Sequence, residues 1–127
     1  YNNDSRTGTY AVADSIVDWT QSVWHDAYTI ELKHGGCNPT GLIIANYGGL
    51  TNQLTGEPLE VECEIYGDSI IINEQIIQGD HISGYSFDDV KIHDQKGFFR
   101  NDSIFIPLSY SANGDDPHYG DCWGKKN

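Results

Sequence analysis

The side chains here that could do covalent or metal chemistry are five histidines (His25, His34, His81, His93 and His118) and three cysteines (Cys37, Cys63 and Cys122). Nucleophilic catalysis needs a serine or cysteine beside a histidine that an acid orients. No Gly-x-Ser-x-Gly elbow is present. Cys63 sits inside an alternating strand pattern, where a cysteine behaves as a small inert hydrophobe. No catalytic residue is expected. Carboxylates crowd two loops, Asp115-Asp116-Pro117-His118 with Asp121 and Asp88-Asp89 with His93-Asp94. Neither spacing matches an EF-hand loop, and no Cys-x-x-Cys pair suggests zinc. These read as solvated loop acids, so neither a metal site nor a cofactor is expected. The aromatic residues make the better binding argument. Trp19 and Trp24 lie in a polar stretch between two strand candidates, and Trp123 lies near the C-terminus. Such rings can stack on a ligand at a barrel mouth, or plug the barrel end as core.

These residues must be positioned by strands. Isoleucine occurs fourteen times and methionine not at all, while fourteen glycines supply turns. Such a composition fits pleated, half-buried surfaces. Leu59, Val61, Cys63 and Ile65 alternate with Glu60, Glu62 and Glu64, an amphipathic strand with Cys63 inside. Gly67-Asp68 then fits a two-residue hairpin loop. The register pairs Tyr66 with Ser69, Ile65 with Ile70, Cys63 with Ile72 and Leu59 with Ile76. It puts Glu74 on the apolar face, so a bulge is expected there in preference to an inward carboxylate. Asn101-Asp102 repeats the grammar between Phe98-Phe99 and Ile104, Ile106, Leu108 and Tyr110. Tyr28 to Leu32 and Leu42 to Tyr47 are further strands. So are Tyr10 to Ala13, Ser15 to Trp19, Ile82 to Phe87, Val90 to His93 and Tyr119 to Trp123.

Eight to ten short antiparallel strands in 127 residues predict a single all-β domain over 1–127, with 1–8 a flexible N-terminal lead. An up-and-down barrel is favoured over a β-sandwich, because closure removes exposed edges. The formal charge of −12 repels phosphate, which excludes nucleic acid as a partner. No apolar run is long enough for a membrane-spanning helix. The opening Tyr1-Asn2-Asn3-Asp4 fits a chain whose export segment has been removed. Export permits oxidation. Three cysteines leave one unpaired, and with Cys63 in the core the expected bridge is Cys37–Cys122.

Asp-Ser-Ile occurs at Asp14-Ser15-Ile16, Asp68-Ser69-Ile70 and Asp102-Ser103-Ile104. Part of this is turn grammar, with aspartate in the loop and isoleucine entering the strand.

The order of segments resembles a family. A Gly-Thr-Tyr-x-Val opening (Gly8 to Val12) precedes a Tyr-Thr-Ile strand (Tyr28 to Ile30) and Leu-Ile-Ile-Ala-Asn-Tyr-Gly-Gly (Leu42 to Gly49). The Gly-Asp-Ser-Ile hairpin, an Ile-Ser-Gly strand (Ile82 to Gly84) and Cys-x-x-x-Lys (Cys122 to Lys126) follow. The chain is similar to the calycin-like (lipocalin-like) β-barrel domains of exported Bacteroidetes proteins, many of them lipoproteins and some loosely labelled lipid-binding. The resemblance implies a place at the cell surface, outer membrane or periplasm and a protein partner there. The alternative it leaves open is a barrel holding a small apolar or glycan ligand. It also implies O-glycosylation at Asp-Ser motifs, with Ser15, Ser69 and Ser103 as acceptors. The matches of Asn3-Asp4-Ser5 and Asn101-Asp102-Ser103 to the eukaryotic N-glycosylation sequon are accidental in such a host.

Overall fold

The computed structural model describes residues 6–18, 20–35, 41–50, 56–83, 86–112 and 116–127, with the backbone alone at 78–83, 86–89, 112 and 116. Ten strands follow one another: β1 (Gly8–Val17), β2 (Val23–His34), β3 (Gly41–Ala45), β4 (Glu60–Tyr66), β5 (Ser69–Ile72), β6 (Gln75–Ser83), β7 (Ser86–Ile92), β8 (Gln95–Arg100), β9 (Ser103–Ala112) and β10 (Asp116–Lys126). A 3-10 turn, Tyr47–Gly49, lies between β3 and β4.

Every pairing is antiparallel. The sheet runs β10-β1-β2-β3-β4-β5-β8-β9, and β9 returns to β10. The eight strands therefore close into an up-and-down barrel, as the alternation predicts. Strands β6 and β7 form a hairpin outside it, joined to β9 only through Val90–Ile92 against Tyr110–Ala112.

Both hairpins read from the sequence form in register. Tyr66 pairs with Ser69 and Ile65 with Ile70; Phe98, Phe99 and Arg100 pair with Phe105, Ile104 and Ser103. The first loop residue takes positive φ in each, 61° at Gly67 and 55° at Asn101. The two loops are used alike. The Asp68 carbonyl accepts the Phe99 amide, and the Asp102 carbonyl accepts the Lys126 amide.

The expected extension of the first hairpin to Leu59–Ile76 is wrong. Strand β5 ends at Ile72, and the chain leaves the barrel at Asn73-Glu74. Glu74 neither sits in a bulge nor points inward. It is exposed, donates its amide to Asp94 and pairs with Lys91. Ile76 is 62% exposed. The Gln75 side chain takes over the abandoned edge of β4, binding both the amide and the carbonyl of Glu62.

All eight barrel strands send side chains inward, Ile and Leu foremost, and these form one core cluster. One end is closed by Arg6, whose guanidinium lies 4.3 Å from the Phe99 ring centre and pairs with Asp68. The Tyr10 hydroxyl also binds the Arg6 carbonyl. Of the expected N-terminal lead, residues 1–5 lie outside the described residues. The other end is closed by the 3-10 turn. Tyr47, expected as the last residue of a strand, is instead a buried plug at 1% exposure, with the Tyr110 ring edge-on at 6.2 Å. Asn46 and Gly48 take positive φ to make this turn.

Candidate functional site

The barrel wall carries its unusual residues on the outside. Alternation along β8 puts Lys96, Phe98 and Arg100 outward, and along β10 Asp121, Trp123 and Lys125. Register aligns them across strands. Tyr66 of β4 pairs with Ser69 of β5, Ser69 with Phe98, Phe98 with Phe105 and Phe105 with Trp123. The result is a row of aromatic rings over five neighbouring strands, about 19 Å long at ordinary strand spacing. Beyond Trp123 the row continues with the small residues Ala13 and Ala27, so one flank of the indole is open.

Tyr66, Phe98 and Trp123 are 59%, 48% and 47% exposed. Phe98 and Phe105 pack with centroids 5.0 Å apart. Phe98, Phe105 and Trp123 line a groove of about 260 Å³, rimmed by Arg100, Ser103 and Lys125. Two of the chain's seven cations, Arg100 and Lys125, thus stand beside exposed rings on a molecule of net charge −12. Single exposed hydrophobics are ordinary on a protein surface. An aligned row with a cationic rim is not.

The other tryptophans lie elsewhere. Trp19 lies outside the described residues. Trp24 is 62% exposed and plugs nothing. Its indole N–H donates to Asp18 Oδ2 at 2.8 Å. Asp18 Oδ1 accepts the Thr20 amide and hydroxyl and the Ser22 amide, closing the turn between β1 and β2. The Thr20 hydroxyl, then the Trp24 indole, hold the Asp18 carboxyl down at about 2.

Ser15, Ser69 and Ser103 are half-buried at outward positions, each followed by a buried isoleucine. Ser69 sits in the aromatic row, and Ser103 lies on the rim of the groove. Asp14 departs from its two sequence counterparts. Asp68 and Asp102 are exposed turn residues, whereas Asp14 points inward at 3% exposure.

Inside the barrel, Tyr28 donates its hydroxyl proton to Asp14 Oδ2 at 2.7 Å and lies 3.7 Å from Cys122 Sγ. Cys122 is a free thiol, and Cys37, its expected partner, lies outside the described residues. A carboxylate, a phenol and a thiol together resemble a catalytic cluster, but their electrostatics run the wrong way for one. Burial pushes the Cys122 thiol up to about 11 and the Cys63 thiol up to about 12. It also raises Tyr28 and Asp14. An activated nucleophile needs the opposite shift.

Sequence reasoning named Trp123 but missed Tyr66, Phe98 and Phe105 as its companions. Each is a lone outward aromatic on its own strand, and only the register joins them. Comparison with protein-family models, curated proteins and solved structures finds no match to this chain.

Proposed function

We propose that this chain is a non-catalytic accessory barrel of exported proteins, which joins a larger assembly at the cell surface or outer membrane. It does so by binding a protein partner through the outer wall of β8, β9 and β10. The observation that carries this is the outward row Tyr66–Phe98–Phe105–Trp123, three of its rings about half exposed, with Arg100 and Lys125 at its rim. An aromatic patch beside arginine is the composition of a protein interface core. The closed eight-stranded barrel is compatible with a calycin-like domain, and the reading of an exported Bacteroidetes protein rests on the sequence resemblance alone.

Charge narrows the partner. A two-fold dimer through this face would bring two copies of the same cationic rim into one interface. A partner bringing carboxylates and an apolar ridge satisfies both features of the groove.

The test is purification from the native host without denaturant. The wild-type chain should elute in a complex. A Phe98→Ser/Trp123→Ser variant with unchanged circular dichroism should elute alone. A variant that stays in the complex, or a wild-type chain that elutes alone, overturns the proposal.

A further inference from the structure

Next to the aromatic row the ladder between β8 and β9 ends. Strand β8 pairs with β9 only over Phe98–Arg100, and β7 pairs with it only over Val90–Ile92. Residues 106–109 of β9 lie between these two ladders. The outer surface here is a shallow, broadly open cleft bordered by β1, β8, β9 and β10.

We infer that this cleft is a binding site for a short neutral oligosaccharide, separate from the proposed protein interface. Three features select that class. Tyr119, 55% exposed, offers a ring face at one wall. Sugars present C–H faces that pack on such rings. Asp94 and Asp121 supply acceptors, Lys96 supplies donors, and the Ser15 and Ser109 side chains can do both. A sugar hydroxyl both donates and accepts, so it uses this mixture fully. Two carboxylates in a molecule of charge −12 work against phosphates, nucleic acids and fatty acids. Lys96 in the same cleft works against a cationic peptide. A cation alone is poorly served, because among the described residues no three His, Cys, Asp or Glu side chains converge.

The lining is also held in place. The Gln95 amide donates to the Ser109 carbonyl at 2.7 Å and to the His93 carbonyl at 3.0 Å. The Asp94 carboxylate is held by the Glu74 amide at 2.8 Å. A fixed lining spends less ordering entropy on binding.

The experiment is amide chemical-shift titration of the isolated chain with maltotriose, cellotriose and chitotriose, each to about 10 mM, the weak-binding regime. Soluble starch and hydroxyethylcellulose form a second arm, and trilysine is the peptide control. At least one trisaccharide should move the amides of Ser15, Ser109, Tyr119, Gly120 and Asp121. Tyr119→Ala should weaken that binding roughly tenfold, about 1.4 kcal/mol, while Tyr119→Phe keeps it. Binding of the polymer as well assigns a chain-internal ligand; binding of the trisaccharide alone assigns a free or terminal one. Shifts on the opposite wall, shifts with trilysine alone, or none with any saccharide overturn the proposal.

Discussion

Replacing Tyr47 by Phe tests how the wall is sealed where the ladder between β8 and β9 ends. The Tyr47 hydroxyl donates to Gln95 Oε1 at 2.8 Å and accepts the Ser109 amide at 3.3 Å. Both side chains are buried, at 1% and 8% exposure. Deleting one oxygen strips a partner from a backbone N–H and from a side-chain carbonyl, neither of which water reaches easily. Each orphaned group costs about 1–3 kcal/mol. The Ser109 bond is long and contributes at the lower end, so the expected loss is about 2–4 kcal/mol. For a chain of this length that is a fall in Tm of roughly 6–20 °C. Urea unfolding followed by circular dichroism measures it. Tyr66→Phe is the control: its hydroxyl binds Glu64 at the surface, and removing it should stay within about 0.5 kcal/mol. Gln95→Leu should be comparably harmful, and the double variant should cost less than the sum, with a coupling of about 0.5–3 kcal/mol. Additive losses, or a Tyr47→Phe cost below about 0.5 kcal/mol, would refute the reasoning.

Burial raises the Asp14 carboxyl, so the folded state holds its proton longer than the unfolded chain does, whose value is about 3.9. Asp14 therefore favours folding most at low pH, and that contribution is lost as pH rises through the folded value. Asp14→Asn should raise the urea midpoint at pH 7, with the gain vanishing below about pH 4; a gain that grows toward acid contradicts the sign. In a Cys37→Ser background, Cys63 and Cys122 should react with a polar thiol reagent only as fast as the barrel opens, since both thiols are buried and pushed to about 12 and about 11. Labelling at the rate of a free thiol would contradict their placement. Gly124→Ala should cost about 2 kcal/mol or more, because the new Cβ would lie 2.0 Å from the Ala11 carbonyl oxygen and 2.6 Å from the Val12 Cα, both backbone atoms that cannot swing aside. A calorimetric scan matching the wild type would show that β1 and β10 are less tightly coiled there.

Local chemistry made much of the barrel legible in advance. Gly67-Asp68 and Asn101-Asp102 are turn pairs flanked by strict alternation, so loop and register specify each other. Leu59, Val61, Cys63, Ile65, Ile70 and Ile72 all lie in the core, as their period requires. Illegible features were those depending on partners far along the chain. Ile76-Ile77 reads like any buried β-branched pair, and nothing local says that the chain has left the barrel three residues earlier. Tyr47 continues an apolar pattern from Leu42, yet the positive φ at Asn46 and Gly48 turns it across the barrel end. Trp24 was open to two readings, a ring for a ligand or a plug, because its bond to Asp18 depends on the shape of the intervening turn. Tyr66, Phe98, Phe105 and Trp123 stand on four strands, and their alignment is a property of the whole sheet.

The departure of β6 and β7 and the two outer features are one event. Strand β9 has ten residues and β8 has six. A closed barrel needs a partner along all of β9, and the hairpin that leaves after Ile72 returns only three residues of it through β7. Pro107 stands in the uncovered stretch. Main-chain groups alternate sides along a strand, and Ser109 points away from β10, so Pro107 does too. A residue without an N–H at that position leaves no donor unpaired there. Ser109 is served by Tyr47, Gln95 and the His93 amide. A wall sealed by side chains and not by a neighbouring strand is indented on its outer face, and this is the cleft that Tyr119 and Asp121 border. The aromatic row crosses β8 and β9 at Phe98 and Phe105, the last pair before their ladder ends. Both surfaces therefore depend on where β8 lets go of β9, and Gln95→Leu should disturb the cleft amides while leaving the Phe98–Trp123 groove unchanged.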